Sequence, residues 1–118
     1  MKIENGDTVP DLVRRCFAAF LAGDRAALED LFSDDFTFTS PRDDHIDKAE
    51  YFARCFPNRD QLRAHHIEQL FAQGGEALVR YLAELPDGTR FRNTEYFRIE
   101  GDKIKQVDVY FGAAAAEP

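Results

Sequence analysis

The second half of the chain is what most restricts the fold. From Leu62 onward it reads as four long strand runs, residues 62–73, 76–85, 89–100 and 103–111. Gly74-Gly75, Pro86-Asp87-Gly88 and Gly101-Asp102 break one run from the next. Turns this short join adjacent antiparallel neighbours, so the runs predict a meander. A sheet of that length has an apolar face to bury, and the preceding residues must cover it.

Those residues read mainly as helices. Val9, Leu12, Val13, Cys16, Phe17, Phe20 and Leu21 fall on one stripe at helical spacing. Thr8 with Asp11 can cap this helix, and Gly23 ends it. Asp24 can cap a second, short helix carrying Ala27, Leu28, Leu31 and Phe32. Phe36 and Phe38 then alternate with Thr37 and Thr39 in a short strand stopped by Pro41. Asp47 and Glu50 resemble a capping box for a third helix that buries Ala49, Phe52, Ala53 and Phe56 and closes at Pro57. The expectation is a single α+β domain over residues 1–118, with 113–118 a flexible tail. A strongly curved, mainly antiparallel sheet wrapped over three helices leaves a cavity between the layers, and such cavities are ligand sites by default.

Charge and motif content exclude several functions. The 118 residues carry 15 basic and 22 acidic side chains, net −7. Nucleic-acid binding needs clustered Lys and Arg, and none is present, so no nucleic-acid partner is expected. No apolar run approaches the ~20 residues that span a bilayer, so no membrane partner is expected either. The N-terminal MKIENGDTVP lacks the apolar core of a signal peptide, which leaves the cytoplasm as the default location. Cys16 and Cys55 stand outside any CxxC pattern and are expected as reduced core thiols. There is no HxH, HExxH or Cys-His cluster and no glycine-rich phosphate loop, so neither a metal nor a cofactor is expected. Ser40 lacks a GxSxG context and does not read as a nucleophile.

The segment FAAFLAGDRAALEDLFSDDFTFTSP, with its Ala-Gly-Asp hinge and its strand ending in Pro, resembles the opening of an NTF2-like, SnoaL-like domain. FRIEGDKIKQVDVYFG resembles the last hairpin of that family. The likeness runs over about residues 8–112 and implies the NTF2-like cone. The superfamily includes ketosteroid isomerase, with dehydratases, cyclases, hydrolases and non-catalytic binders, so the fold does not decide the function. Carried over residue by residue, the isomerase base falls on Ser40, its Tyr donor on Cys16 and its protonated acid on Glu95. A serine is no carboxylate base and a thiol is a weak donor, so steroid isomerisation by that mechanism is excluded.

Alternation sorts the strands into two faces. Phe91, Asn93, Glu95, Phe97 and Ile99 share the more apolar face of their run, which should look inward with Val107, Val109 and Phe111. Cys16, Ser40, Tyr51, Asn93, Phe97, Val107 and Val109 are therefore expected to contact a ligand. Tyr96, Arg98, Asp108 and Tyr110 point the other way, onto the face where the resemblance implies a homodimer interface, with Arg98 and Asp108 as a cross-strand pair. Burial should raise the pKa of Glu95, which suits a general acid or proton shuttle; the alternative is a carboxylate satisfied by a neighbour. His45, in the loop of Arg42, Asp43 and Asp44, reads as a rim base or as part of a solvated capping loop. His65 and His66 must face opposite ways; His66 is a second candidate base, and the pattern does not say which looks inward. Tyr51 and Cys55 lie one helical turn apart and either line the mouth or pack. Three functions fit: a cofactor-independent acid–base isomerase or lyase, a non-catalytic binder, or a dimerisation module. The expected ligand is small and hydrophobic with one or two oxygens.

Overall fold

The computed structural model describes residues 8–114, without the side chains of Arg59, Gln61 and Ala114. Helices α1 (Val9–Ala22) and α2 (Arg25–Leu31) lead into strands β1 (Phe32–Ser40) and β2 (Asp43–Asp47), then α3 (Lys48–Arg54) and a short 3₁₀ turn over Phe56–Gln61. Strands β3 (Ala64–Gln73), β4 (Glu76–Glu84), β5 (Arg90–Glu100) and β6 (Lys103–Ala114) complete the chain. One sheet results, in the order β2-β1-β6-β5-β4-β3, with every pairing antiparallel except β1 with β6.

Local chemistry sets the three helix starts and the end of α1 as the residue pattern predicts, while α3 stops at Arg54, ahead of Pro57, and Phe32 opens β1 rather than extending α2. Thr8 and Asp11 form a full capping box, each side chain accepting from the other's backbone N–H at 3.3 and 2.9 Å. Gly23 ends α1 at φ 72°, a left-handed geometry that glycine adopts without steric cost. Asp24 accepts from Ala27 N at 3.1 Å, and Asp47 from Glu50 N at 2.9 Å.

Three expectations need correction. The residues after Pro41 are no loop: β2 pairs with β1, across a register shift between Phe38 and Ser40. Helix α3 buries Tyr51 and Phe52 rather than Ala49 and Ala53, which are exposed. Aromatic contact decides this, since the Tyr51 ring lies within 5.5 Å of the rings of Phe32, Phe36, Phe38 and Phe52. Ala113 and Ala114 belong to β6, Ala114 pairing with Phe91, so the expected tail does not begin there; residues 115–118 lie outside the described residues.

The core fills the space between α1, α3 and the concave face. Phe97, Phe36, Leu12, Val13, Leu28, Val79 and Ile104 are fully buried, each worth about 1.5–3 kcal/mol in transfer free energy. No helix among the described residues is long and apolar enough to cross a membrane.

Candidate functional site

Core packing stops short of one end of the cone and leaves a cavity of about 590 Å³. Its wall is mainly aromatic and aliphatic, with Phe20, Phe38, Phe91, Val107 and Val109 among the lining residues. Cys16, Ser40, Tyr51 and Asn93 line it too. Phe97 does not. It is wholly buried against Phe17, so it packs rather than faces a ligand.

Glu95 sits at the polar centre. Strand β4 places Tyr81 opposite Asn93 and Val79 opposite Glu95. The Tyr81 hydroxyl donates to Glu95 Oε2 at 2.5 Å and accepts from Asn93 Nδ2 at 3.3 Å. Asn93 is oriented in turn by Gly112 N–H, which donates to Asn93 Oδ1 at 3.2 Å. The donors run in one direction: Gly112, Asn93, Tyr81, Glu95. Gly112 is required at the start of this chain, because a Cβ there would collide with the carbonyl oxygen of Arg92.

Two effects oppose each other at Glu95. Desolvation raises its pKa and the Tyr81 hydrogen bond lowers it; desolvation wins, and the carboxyl titrates at about 7. Cys16, Tyr51 and Tyr81 face it from α1, α3 and β4, and burial holds each of them above its ordinary pKa.

The histidines separate as period two requires, and the structure shows which looks inward. His65 lines the cavity, edge-on to Phe17 and Tyr81 at ring-centroid distances of 5.2 Å each. Burial pushes its pKa down to about 4, so it is neutral at physiological pH. His66 is exposed on the opposite side of the sheet, which removes it as a base in the cavity. The alternation could not decide because of a bulge: the register shifts between Ile67 and Gln69, so residues before and after it share a face out of phase. Leu70 accordingly sides with His65, and Phe71 points outward.

At the mouth, Asp43 forms a second polar group. It pairs with Arg54 at 2.7 Å and approaches Ser40 Oγ at 3.4 Å and Cys55 Sγ at 3.7 Å. His45 does not join it: its side chain is mostly exposed and bonds Asp44 at 2.7 Å, outside the cavity lining. His45 has φ 50°, the one non-glycine residue with positive φ among the described residues.

On the convex face, Tyr96 donates to Glu76 at 2.6 Å, and Tyr110 is exposed. The expected Arg98–Asp108 pair does not form. Arg98 lies opposite Gln106, Asp108 lies opposite Tyr96, and Gln106 Nε2 donates to Asp108 at 3.0 Å.

Tyr81 and His65 are the site residues that residue patterns left unassigned. The alternation Ala77, Val79, Tyr81, Ala83 is the signal that reaches Tyr81. Among the described residues no group of three His, Cys, Asp or Glu could hold a metal ion.

The cone, its sheet order and its cavity define a known class. The family model for the SnoaL-like domain matches residues 13–107, and the chain belongs to that family. Its fold is the NTF2-like α+β cone. An NTF2-like protein of unknown function from Cytophaga hutchinsonii is 20% identical over 94% of each chain, with a TM-score of 0.72. A protein from Catenulispora acidiphila with a ketosteroid isomerase-like fold, solved in complex with trimethylamine, is 18% identical over 89% of this chain and 88% of that one, with a TM-score of 0.73. An LEH-like epoxide hydrolase from M. tuberculosis is 15% identical over 87% and 81%, with a TM-score of 0.72. No curated protein matches the chain.

Proposed function

We propose that the cavity binds a small, largely apolar molecule and that Glu95 exchanges a proton with it, making the protein a cofactor-independent isomerase or lyase. One observation carries this reading. A carboxyl that titrates at about 7 stands at the polar centre of an aromatic cavity, held at one oxygen by Tyr81. A pKa near the working pH lets one group both take and return a proton. Tyr81 and Asn93 orient the carboxyl, and Tyr51, Val107 and Val109 shape the volume around a ligand. By the sequence resemblance Ser40 and Cys16 fall where the steroid isomerases carry a carboxylate and a phenol, so the usual steroid mechanism is not part of the proposal.

The test needs no known substrate. A panel of small cyclic and aromatic ketones is incubated with the protein in D₂O, and deuterium uptake beside the carbonyl is followed by NMR. Wild type should accelerate uptake for at least one ketone and Glu95→Gln should not. Ketones that bind, seen by chemical-shift changes around Asn93, but never exchange would sink the catalytic reading. They would leave a binding protein, the reading favoured by the lack, among the described residues, of a second carboxylate bonded into the Glu95 group. The complex of the Catenulispora protein with trimethylamine supports a small-molecule role for this cone.

The convex face belongs to the same proposal as a homodimer contact. Leu78 and Tyr110 are exposed there, flanking Tyr96, Arg98 and Asp108.

A further inference from the structure

Among the described residues Glu95 has no cationic partner. Oε2 takes the Tyr81 hydroxyl, and no other described residue bonds the carboxylate. Among the described residues the charged groups lining the cavity are Glu95, Asp43 and Arg42. Arg42 stands at the mouth, exposed, with its guanidinium 5.8 Å from the Phe111 ring centroid. Asp43 is spoken for by Arg54. The interior is thus an acid among rings, inside a protein of net charge −7. Among the described residues no cation neutralises that acid, and a carboxylate drawn out of water without one is costly. Aromatic faces attract a weakly hydrated cation, more so when water is excluded. The rings of Phe17 and His65 pack against that of Tyr81, whose hydroxyl holds the carboxylate, and all three line the cavity.

We infer that the molecule this cavity selects is a small organic cation, an aliphatic or benzylic ammonium whose charge settles against Glu95 and whose apolar substituents fill the aromatic walls. The inference rests on the reading of the cavity as a ligand site and adds the charge of the ligand to it. A neutral ketone would leave Glu95 without a countercharge. An anion would meet it with like charge, and the one cavity-lining arginine stands at the mouth, in solvent.

Three ligands of matched shape make the test: (4-hydroxybenzyl)trimethylammonium, 4-neopentylphenol and 4-hydroxybenzylsulfonate. A quaternary ammonium is chosen because its charge does not change with pH. Binding is measured by calorimetry at pH 8 and 5.5 on wild type and Glu95→Gln. The cation should bind wild type at least tenfold more tightly than the neutral phenol at pH 8. Its advantage should shrink several-fold at pH 5.5, where Glu95 takes up a proton. Cys16, Tyr51, Tyr81 and His65, which share the cavity, all remain neutral across that interval. Glu95→Gln should abolish the preference; His45 and His66, outside the cavity, are unchanged in that variant. Equal affinity for cation and phenol, or preference for the sulfonate, overturns the inference and leaves the cavity reading standing. If none of the three binds while the ketones still do, the inference alone falls. If nothing binds at all, both fall.

Discussion

At the residue scale, two half-buried groups of the cavity wall oppose each other in their response to acid. Glu95 titrates at about 7 when folded, against 4.5 in a free side chain. The folded state therefore holds its proton more tightly, and stability rises as pH falls from 7 to 4.5. Fully ionised, Glu95 costs on the order of 3 kcal/mol. His65 is the reverse case. Its pKa is lowered from 6.5 to about 4, so the unfolded state takes the proton first and stability is lost as pH falls from 6.5 to 4. In wild type the two slopes largely cancel between pH 4.5 and 6.5. Urea denaturation across that interval should separate them. Glu95→Gln should be more stable than wild type at pH 8 and should lose stability steadily on acidification. His65→Gln should gain stability over the same range. Parallel profiles for the three proteins would mean that neither group is held as described. The inward face of β5 was legible at this scale, because strict alternation needs no tertiary knowledge. The partner of Glu95 was not, since Tyr81 lies on another strand and reaches it only through register.

At the scale of elements, bulges decide what faces the cavity. The shift in β3 turns Leu70 inward and Phe71 outward. The shift between β5 and β6 lets Gly112 come close enough to Arg92 and Asn93 to orient the latter. Gly112→Ala should cost roughly 2–3 kcal/mol by forcing the strands apart. It should also move the Asn93 side-chain amide resonances; an unshifted spectrum with full stability would show that Gly112 holds nothing in place. Phe97 is the contrasting case. It packs beneath the site without lining it, so Phe97→Ala should cost about 3–5 kcal/mol in stability. Among molecules that remain folded at low temperature, its preference between cationic and neutral ligands should be unchanged. Strand β2 was illegible for a related reason. DDHID carries no apolar alternation of its own, and it becomes a strand because β1 offers it a hydrogen-bonding edge.

At the scale of the whole molecule, the convex face carries exposed apolar side chains that the monomer leaves open. Phe71, Leu78 and Tyr110 are 67%, 48% and 58% exposed. Sedimentation velocity should find wild type as a dimer at micromolar concentration and Leu78→Lys as a monomer with its cavity intact. A wild type that stays monomeric at every concentration removes the dimer from the proposal. Beside this patch, Glu68 accepts from Arg92 at 2.8 and 3.0 Å and pairs with Arg80 at 3.3 Å, so the polar part of the face is already organised.

The residue pattern by itself determined the helix caps, the four long strands and the inward face of β5, because each depends on neighbours a few positions away. It determined the family as well, through the order of those local signals. Tertiary structure decided which histidine enters the cavity, that Asn93 and Tyr81 form one chain ending on Glu95, and that Asp43 is paired with Arg54. The physical reason is that each joins residues from different elements. The histidine depends on the bulge in β3, where a single extra residue reverses every side chain beyond it. The chain to Glu95 depends on the register of β4 with β5, and the Asp43 pair on the packing of α3 beside β2.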